Sequence, residues 1–472
     1  MQRVLSSKIM MISLLIVLFL IAFAVIRGTV YERQGNYQRV IQDIARNNVN
    51  SQTVLTPFIV VPVTSTFDCP NDKSKVCTSR NQVVISPEAM EWKNKVDVDD
   101  QSFKRGIYRA ISYHNQAIMT GRFVLSDKLL NPAANQQVDW SNAKMRIYLS
   151  DLRGLKSQPV LTMNQQKFVF EFPRDEEINP LAVVYTHTAL HDLPKSNRFD
   201  FTVTMDMTGT GSLQFLPLGK ELSLAMVANW PHPSFFGESL PTKNITSKSF
   251  NADWKNTYIA NRNSQLLAGC MDANTESCKQ LQQAFHRPVS LNTRAEYSQG
   301  EANNLTVAGS FGVSFIQAVD VYLMTDRAIK YAALFLVITF GAFFLFEILK
   351  DLRIHPMQYA LVGAALAVFY VLLLSFSEHI NFALAYGVSS AACISLMTFY
   401  VSYVLKSITR SLLFSMILAA MYGTMFVILQ SEDYTLMLGS VLVFVLIAVM
   451  MFLTRHVDWY ELGQKAQPQE SR

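Results

Sequence analysis

The chain is 472 residues long, half of them hydrophobic and 16% charged, with a formal net charge of +5. That balance excludes a dedicated nucleic-acid binder, because the Lys and Arg residues form no basic stripe. It also excludes a uniformly soluble protein, since apolar residues are concentrated in a few long runs.

Residues 1–8 form a stub carrying Arg3 and Lys8, and a first apolar run follows at 9–27. A helix rises about 1.5 Å per residue and the hydrocarbon core of a bilayer is about 30 Å thick, so about twenty apolar residues cross it. Ala22-Phe23-Ala24 fits the small-x-small pattern of a cleaved signal peptide. The run exceeds a signal core in length, however, and Val25 and Ile26 carry it past that cut, which favours a retained anchor. Helical spacing continues into a polar segment from 30 to 45, with Val40, Ile41 and Ile44 on one side.

The period then changes. Segments 58–63, 83–85, 145–149, 168–172, 199–205, 222–228 and 311–316 read as strands, and Gly209-Thr210-Gly211-Ser212 as a turn. The stretch 262–287 looks helical. Residues 28–328 are thus expected to form a large, mainly antiparallel, sandwich-like β domain, big enough for two subdomains.

Four of the five cysteines lie in this domain, as Cys69-x7-Cys77 and Cys270-x7-Cys278. Four cysteines allow three pairings. The matched short spacings favour two local disulfides, 69–77 and 270–278, in an oxidising compartment. Zinc is the rival, but x7 is not a metal-knuckle spacing and no histidine stands beside either pair. Cys393 falls inside an apolar run and reads as a small core residue.

His187-x3-His191-Asp192 is the nearest approach to a metal constellation, and it keeps a metal-dependent hydrolase as a minor alternative. The preceding Ala182-Val183-Val184-Tyr185 reads as a strand entering a loop, which makes both histidines exposed loop residues. No nucleophile elbow, phosphate loop or dinucleotide fingerprint is present. No cofactor, metal or catalytic residue is assigned.

Five further apolar runs follow, at 329–349, 356–376, 382–404, 411–430 and 434–454, leaving a tail at 455–472. Short loops at 350–355 and 405–410 carry Lys350, Arg353, Lys406 and Arg410, and the tail carries Arg455, Lys465 and Arg472. The alternate loops, 377–381 and 431–433, have no Lys or Arg. Positive residues favour the cytoplasm, so both termini are expected inside and 28–328 outside. Ionisable groups within the runs are sparse. Glu347 lies near the inner end of the second run, with Lys350 three residues on for partial neutralisation, and Glu378-His379 marks the outer end of the third. That sparseness weighs against a proton-coupled transporter, and a transporter or channel for a small envelope-active compound remains the second functional reading.

Several motifs carry a resemblance. They are Asn229-Trp230-Pro231-His232-Pro233-Ser234-Phe235-Phe236-Gly237, Asp326-Arg327-Ala328-Ile329-Lys330-Tyr331, Phe343-Phe344-Leu345-Phe346-Glu347, His355-Pro356-Met357-Gln358-Tyr359, Ser377-Glu378-His379 and Asp151-Leu152-Arg153-Gly154. The chain resembles the CreD family of bacterial inner-membrane proteins over nearly its whole length. The resemblance implies a Gram-negative inner membrane, a periplasmic domain, and a part in envelope integrity or stress, including tolerance of envelope-targeting toxins and β-lactams. It implies no enzymatic activity. Trp230, Pro231, His232, Pro233, Glu347, His355, Glu378 and His379 are the motif residues singled out, with Trp230 expected to bury its ring where the prolines end a strand.

The expected architecture is a multi-span α-helical membrane protein, six spans arranged one plus five, with a mainly antiparallel β periplasmic domain. Expected partners are the lipid bilayer and periplasmic or inner-membrane envelope proteins, with no nucleic acid. The sequence does not specify an oligomeric state.

Overall fold

The computed structural model describes residues 2–69, 72–173, 179–190, 197–257, 262–286, 309–315, 321–349, 355–404, 408–431 and 435–455. Two compact units emerge, one of Met1–Gln38 with Val319–Arg472 and one of Arg39–Ala318.

A single helix, α1 (Gln2–Asn47), opens the chain. Strands β1 (Gln52–Leu55), β2 (Phe58–Cys69), β3 (Asp72–Ile85), β4 (Ala89–Arg105) and β5 (Tyr108–Val124) follow. A short α2 (Asp127–Leu130) leads to β6 (Gln136–Val138), β7 (Lys144–Tyr148), β8 (Val160–Met163), β9 (Gln166–Val169) and β10 (Tyr185–Ala189). Next come β11 (Arg198–Thr210), β12 (Ser212–Leu216), β13 (Glu221–Ala228), β14 (Pro233–Gly237), β15 (Thr242–Ile245) and β16 (Phe250–Thr257). Helices α3 (Asn263–Met271) and α4 (Thr275–His286) precede β17 (Phe311–Phe315).

Among the described residues the strands form three sheets, ordered β1-β12-β17-β14, β10-β7-β2-β3 with β6 beside β2, and β15-β16-β13-β4-β5-β11-β8-β9. Pairing is antiparallel except for β1 with β12 and β13 with β4. The long strands show why a layered core forms. In β11, Phe199, Phe201, Val203, Met205 and Met207 are buried and alternate with Asp200, Thr202, Thr204 and Asp206, the period of two that gives a sheet one apolar face. That face meets the four-stranded sheet through Trp92 on Phe215, Tyr113 on Phe315 and Trp254 on Phe311, with ring centroids 4.8, 5.1 and 5.7 Å apart. Helices α3 and α4 pack Leu266, Leu267, Leu281 and Phe285 into a second core with Leu55, Phe58 and Tyr148. The expected sandwich is therefore present, with a helical layer added.

Some expected boundaries move. The expected strand 168–172 stops at Val169, after which only Glu171 bridges to His187. Ile316 lies outside the described residues. The four-residue turn shrinks to Gly211, whose φ of 79° lets the chain turn the corner from β11 in one sheet to β12 in another. Long β4 and β5 were not expected at all.

Both local disulfides are formed, 69–77 and 270–278, with Cα–Cα distances of 5.0 and 4.6 Å. The first links the last residue of β2 to Cys77 within β3, and the second joins α3 to α4. Closing a loop this short restricts the unfolded chain by about 2–3 kcal/mol. The double variant Cys270→Ala/Cys278→Ala is expected to lose about 2 kcal/mol in denaturant unfolding. Cys393, which is unbridged and buried, serves as the control.

The other unit contains α5 (Val321–Lys330), α6 (Ala332–Leu349), α7 (Pro356–Ser377), α8 (Phe382–Val404), α9 (Ile408–Gln430) and α10 (Thr435–Thr454). Among the described residues four helices are long and apolar enough to cross a membrane: Met10–Asn47, Pro356–Ser377, Phe382–Val404 and Ser411–Gln430. A fifth arises if Val321–Lys330 and Ala332–Phe344, bent by 41°, cross as one span. The expected second span at 329–349 thus begins inside α5, before this bend. Helix α10 covers the last apolar run of the sequence. The first helix packs as part of the unit, with Phe19 on Phe340 and Phe23 on Tyr370 at 6.3 and 5.5 Å between ring centroids.

Candidate functional site

The motif residues fall into separate places. Around α5 they gather charge. Asp326 is buried and receives Arg27 Nε of α1 at 2.6 Å and Lys330 Nζ at 2.9 Å. Arg27 also donates through Nη2 to the Tyr31 hydroxyl, 2.8 Å away. One turn before Asp326, the Tyr322 hydroxyl donates to Glu378 Oε1 at 3.2 Å, and its ring lies 6.0 Å from that of Tyr37. These contacts clamp α1, α5 and the C-terminal end of α7 together. Burying a carboxylate is unfavourable unless it is paired, and two cations answer Asp326. His379 turns back onto its own helix, with Nδ1 3.0 Å from the Ser375 carbonyl.

Glu347 and His355 lie by the other end of α7, about 33 Å from Glu378 at 1.5 Å per residue. Lys350, the expected neutralising partner of Glu347, lies outside the described residues. Glu347 is buried and accepts a hydrogen bond from the Tyr359 hydroxyl at 3.1 Å, a partner twelve residues away that local spacing did not suggest. His355 is structural. Its Nδ1 accepts from Met357 N while its own N–H donates to Gln358 Oε1, a capping box that starts α7 just ahead of Pro356.

The Trp-Pro-His-Pro segment joins β13 to β14. Trp230 is half-buried against the sheet core rather than fully enclosed, and its indole N–H donates to the His232 carbonyl at 3.1 Å. Pro231, exposed His232 and Pro233 lead into β14, an edge strand paired only with β17 among the described residues. A proline tolerates such an edge because it has no N–H to offer the ladder. Gly237 closes the strand with φ 102°, where a methyl group would strike the Ser310 carbonyl.

His187 is not an exposed loop residue. It sits buried in the middle of β10, directly opposite Arg146 of β7, whose guanidinium lies 4.8 Å over the Tyr185 ring. A buried cation in register with His187 disfavours a divalent metal there. His191 and Asp192 lie outside the described residues. Among the described residues no group of three or more His, Cys, Asp or Glu is placed to hold a metal ion.

Asp151-Leu152-Arg153-Gly154 builds a heavily bonded polar knot in the sheet domain. Asp151 caps a 3-10 turn and accepts from Arg153 N, from Arg153 Nε at 2.9 Å and Nη2 at 2.6 Å, and from Asn50 N at 3.3 Å. Arg153 Nη1 reaches the Arg46 carbonyl at the end of α1, 2.8 Å away. The buried Gln52 amide donates to the Asp151 carbonyl at 2.9 Å and to that of Thr208 at 3.3 Å. Burial opposes the Asp151 charge, yet the hydrogen bonds from Arg153 and Asn50 outweigh it and hold the carboxyl below its ordinary value.

The family described as inner membrane protein CreD matches residues 4–460, which takes in all of these motifs. The chain belongs to the CreD family. One CreD relative, the inner membrane protein CreD of Escherichia coli strain K12, is 30% identical over 450 residues, covering 94% of this chain and 91% of the relative. A solved structure also matches, a Legionella pneumophila protein provisionally described as nutrient binding, at 8% identity with a TM-score of 0.23. It covers 37% of this chain, which in turn spans 65% of that protein, and at this TM-score it carries no argument about the CreD fold. CreD membership makes this a membrane protein of the inner-membrane type, and its apolar helices contact lipid.

Proposed function

We propose that this CreD protein is a non-enzymatic inner-membrane protein that supports envelope integrity under stress, acting through a periplasmic sheet domain. The observation that carries the reading is one chain of the CreD family that joins a disulfide-bonded, layered sheet domain to a unit of apolar helices. Disulfides persist in oxidising compartments, which supports a periplasmic position for 28–328. Loop charges support six spans with both termini in the cytoplasm of a Gram-negative cell. Packing of Phe19 and Phe23 supports retention of the first helix as an anchor.

Two measurements test the reading together. A cysteine placed at exposed Lys248 is expected to react with a membrane-impermeant maleimide once the outer membrane is permeabilised, whereas one placed in the 455–472 tail is expected to stay unlabelled. Cells lacking the protein are expected to show altered growth in β-lactams and envelope-targeting toxins, restored by the full chain. Equal labelling at both positions would overturn the topology, and unchanged tolerance would overturn the role.

A further inference from the structure

The helical unit carries buried hydroxyls that its described neighbours leave unanswered. Tyr370 of α7, Ser389 of α8 and Tyr422 of α9 are at most 2% exposed, and none of their hydroxyls has a hydrogen-bond partner among the described residues. They converge on one region. The Tyr386 and Tyr422 rings lie 6.4 Å apart between centroids. Ser389 lies three residues after Tyr386 and four before Cys393 on α8, and all three are buried, so they share a helix face. Phe369 packs beside the cluster, its ring centroid 4.9, 5.5 and 4.7 Å from those of Tyr370, Tyr386 and Tyr422. Tyr386 and Cys393 are satisfied, donating to the Tyr422 and Ala365 carbonyls at 2.7 and 3.5 Å.

A hydroxyl removed from water without a partner is unfavourable, and hydrocarbon outside the bundle offers no relief. Three such groups in one region of the bundle form a deficit that a small donor-and-acceptor molecule would remove. The groups are two phenols and an alcohol, with no carboxylate, ammonium or guanidinium hydrogen-bonded to them among the described residues. The ligand they suit is therefore uncharged.

We propose that Tyr370, Ser389 and Tyr422 form a hydration site inside the helix bundle, filled by water bridging their hydroxyls. Buried water of this kind takes two to four polar partners, which is what the cluster supplies. The site lies apart from the charged clamp at Asp326 and from Glu347, and it stands whether or not the sheet domain has the role given above.

X-ray radiolytic labelling of the full chain in nanodiscs tests it, because radiolysis of bound water produces hydroxyl radicals in place. Tyr370 and Tyr422 are expected to label about tenfold faster than two equally buried controls in the sheet domain, Phe215 and Tyr148, the latter with its hydroxyl satisfied by Asn179. Labelling at the rate of those controls overturns the proposal. In Tyr422→Phe the rate at Tyr370 is expected to fall severalfold, and an unchanged rate overturns the bridge. Thermal unfolding supplies a second sign. Tyr370→Phe is expected to lower the midpoint if the hydroxyl is hydrated, whereas a raised midpoint shows a dry, unanswered hydroxyl and overturns it.

Discussion

Replacing Asp151 with alanine is expected to destabilise the sheet domain by about 3 kcal/mol, because one carboxylate answers the Arg153 guanidinium, the Arg153 N–H and the Asn50 N–H at once. Arg153 is half-exposed, so water recovers part of its loss. The backbone donors and the capped turn recover less. Trp92, Trp140, Trp230 and Trp254 all lie in this domain, so denaturant unfolding followed by tryptophan fluorescence reads the change. The effect has a pH signature. The folded carboxyl titrates below the ordinary value of 3.8, so its contribution is fully present above that value. As pH falls from there through the folded value, the unfolded chain binds a proton that the folded chain does not, and stability drains away. Asp151→Asn should therefore lose part of the acid-side slope that wild type shows below about pH 4. Identical acid profiles for the two proteins would count against the knot.

The second large effect is expected at Gly363. The Phe19 ring of α1 lies where a Cβ on Gly363 of α7 would be, so the two helices touch through a position only glycine fits. Membrane helices lack a hydrophobic force drawing them together, and small residues let their backbones approach. Gly363→Leu must displace the Phe19 ring, and with it the packing of Phe19 on Phe340. Overpacking of this kind costs about 3 kcal/mol. Gly387→Leu is the matched control, since nothing lies within 4 Å of a Cβ there. Thermal unfolding in detergent should separate the two clearly. Were the first helix removed as a signal peptide, Gly363→Leu would instead behave like Gly387→Leu.

How much was legible depended on which chemical period each segment displayed. Strands β11 and β13 alternate apolar and polar residues cleanly, and both were evident. Strands β4 and β5 alternate too, with Met90, Trp92, Val96 and Val98 facing in, but Asn94 and Asn115 interrupt their inward rows. Their side chains bond to each other across the sheet interior, Asn115 Nδ2 to Asn94 Oδ1 at 3.0 Å, so part of their polarity is answered by a partner that spacing alone does not reveal. Trp230 was overestimated as a buried ring because it sits on a connector, half-open to solvent. His187 was misplaced by one element, a boundary error that moved a core residue to a loop.

The motif residues show the same division. Capping by His355 follows from local geometry, since every partner lies within three residues. The pairings Arg27–Asp326, Tyr322–Glu378 and Tyr359–Glu347 join different helices, and no short window contains both members. Only the Asp326–Lys330 spacing of one turn hinted that a charge cluster was being assembled.

By itself the sequence determined the apolar runs, the charge asymmetry of the loops, the neighbouring disulfides and the separation of a strand-rich domain from a helical unit. Each of these is written in local composition or in contacts a few residues long. Tertiary structure alone decided which strands pair in parallel, that a helical layer backs the smaller sheets, and that Asp326 is answered by Arg27, 299 residues away. A partner at that distance is chosen by packing, because a buried polar group accepts whichever donor the fold brings within reach.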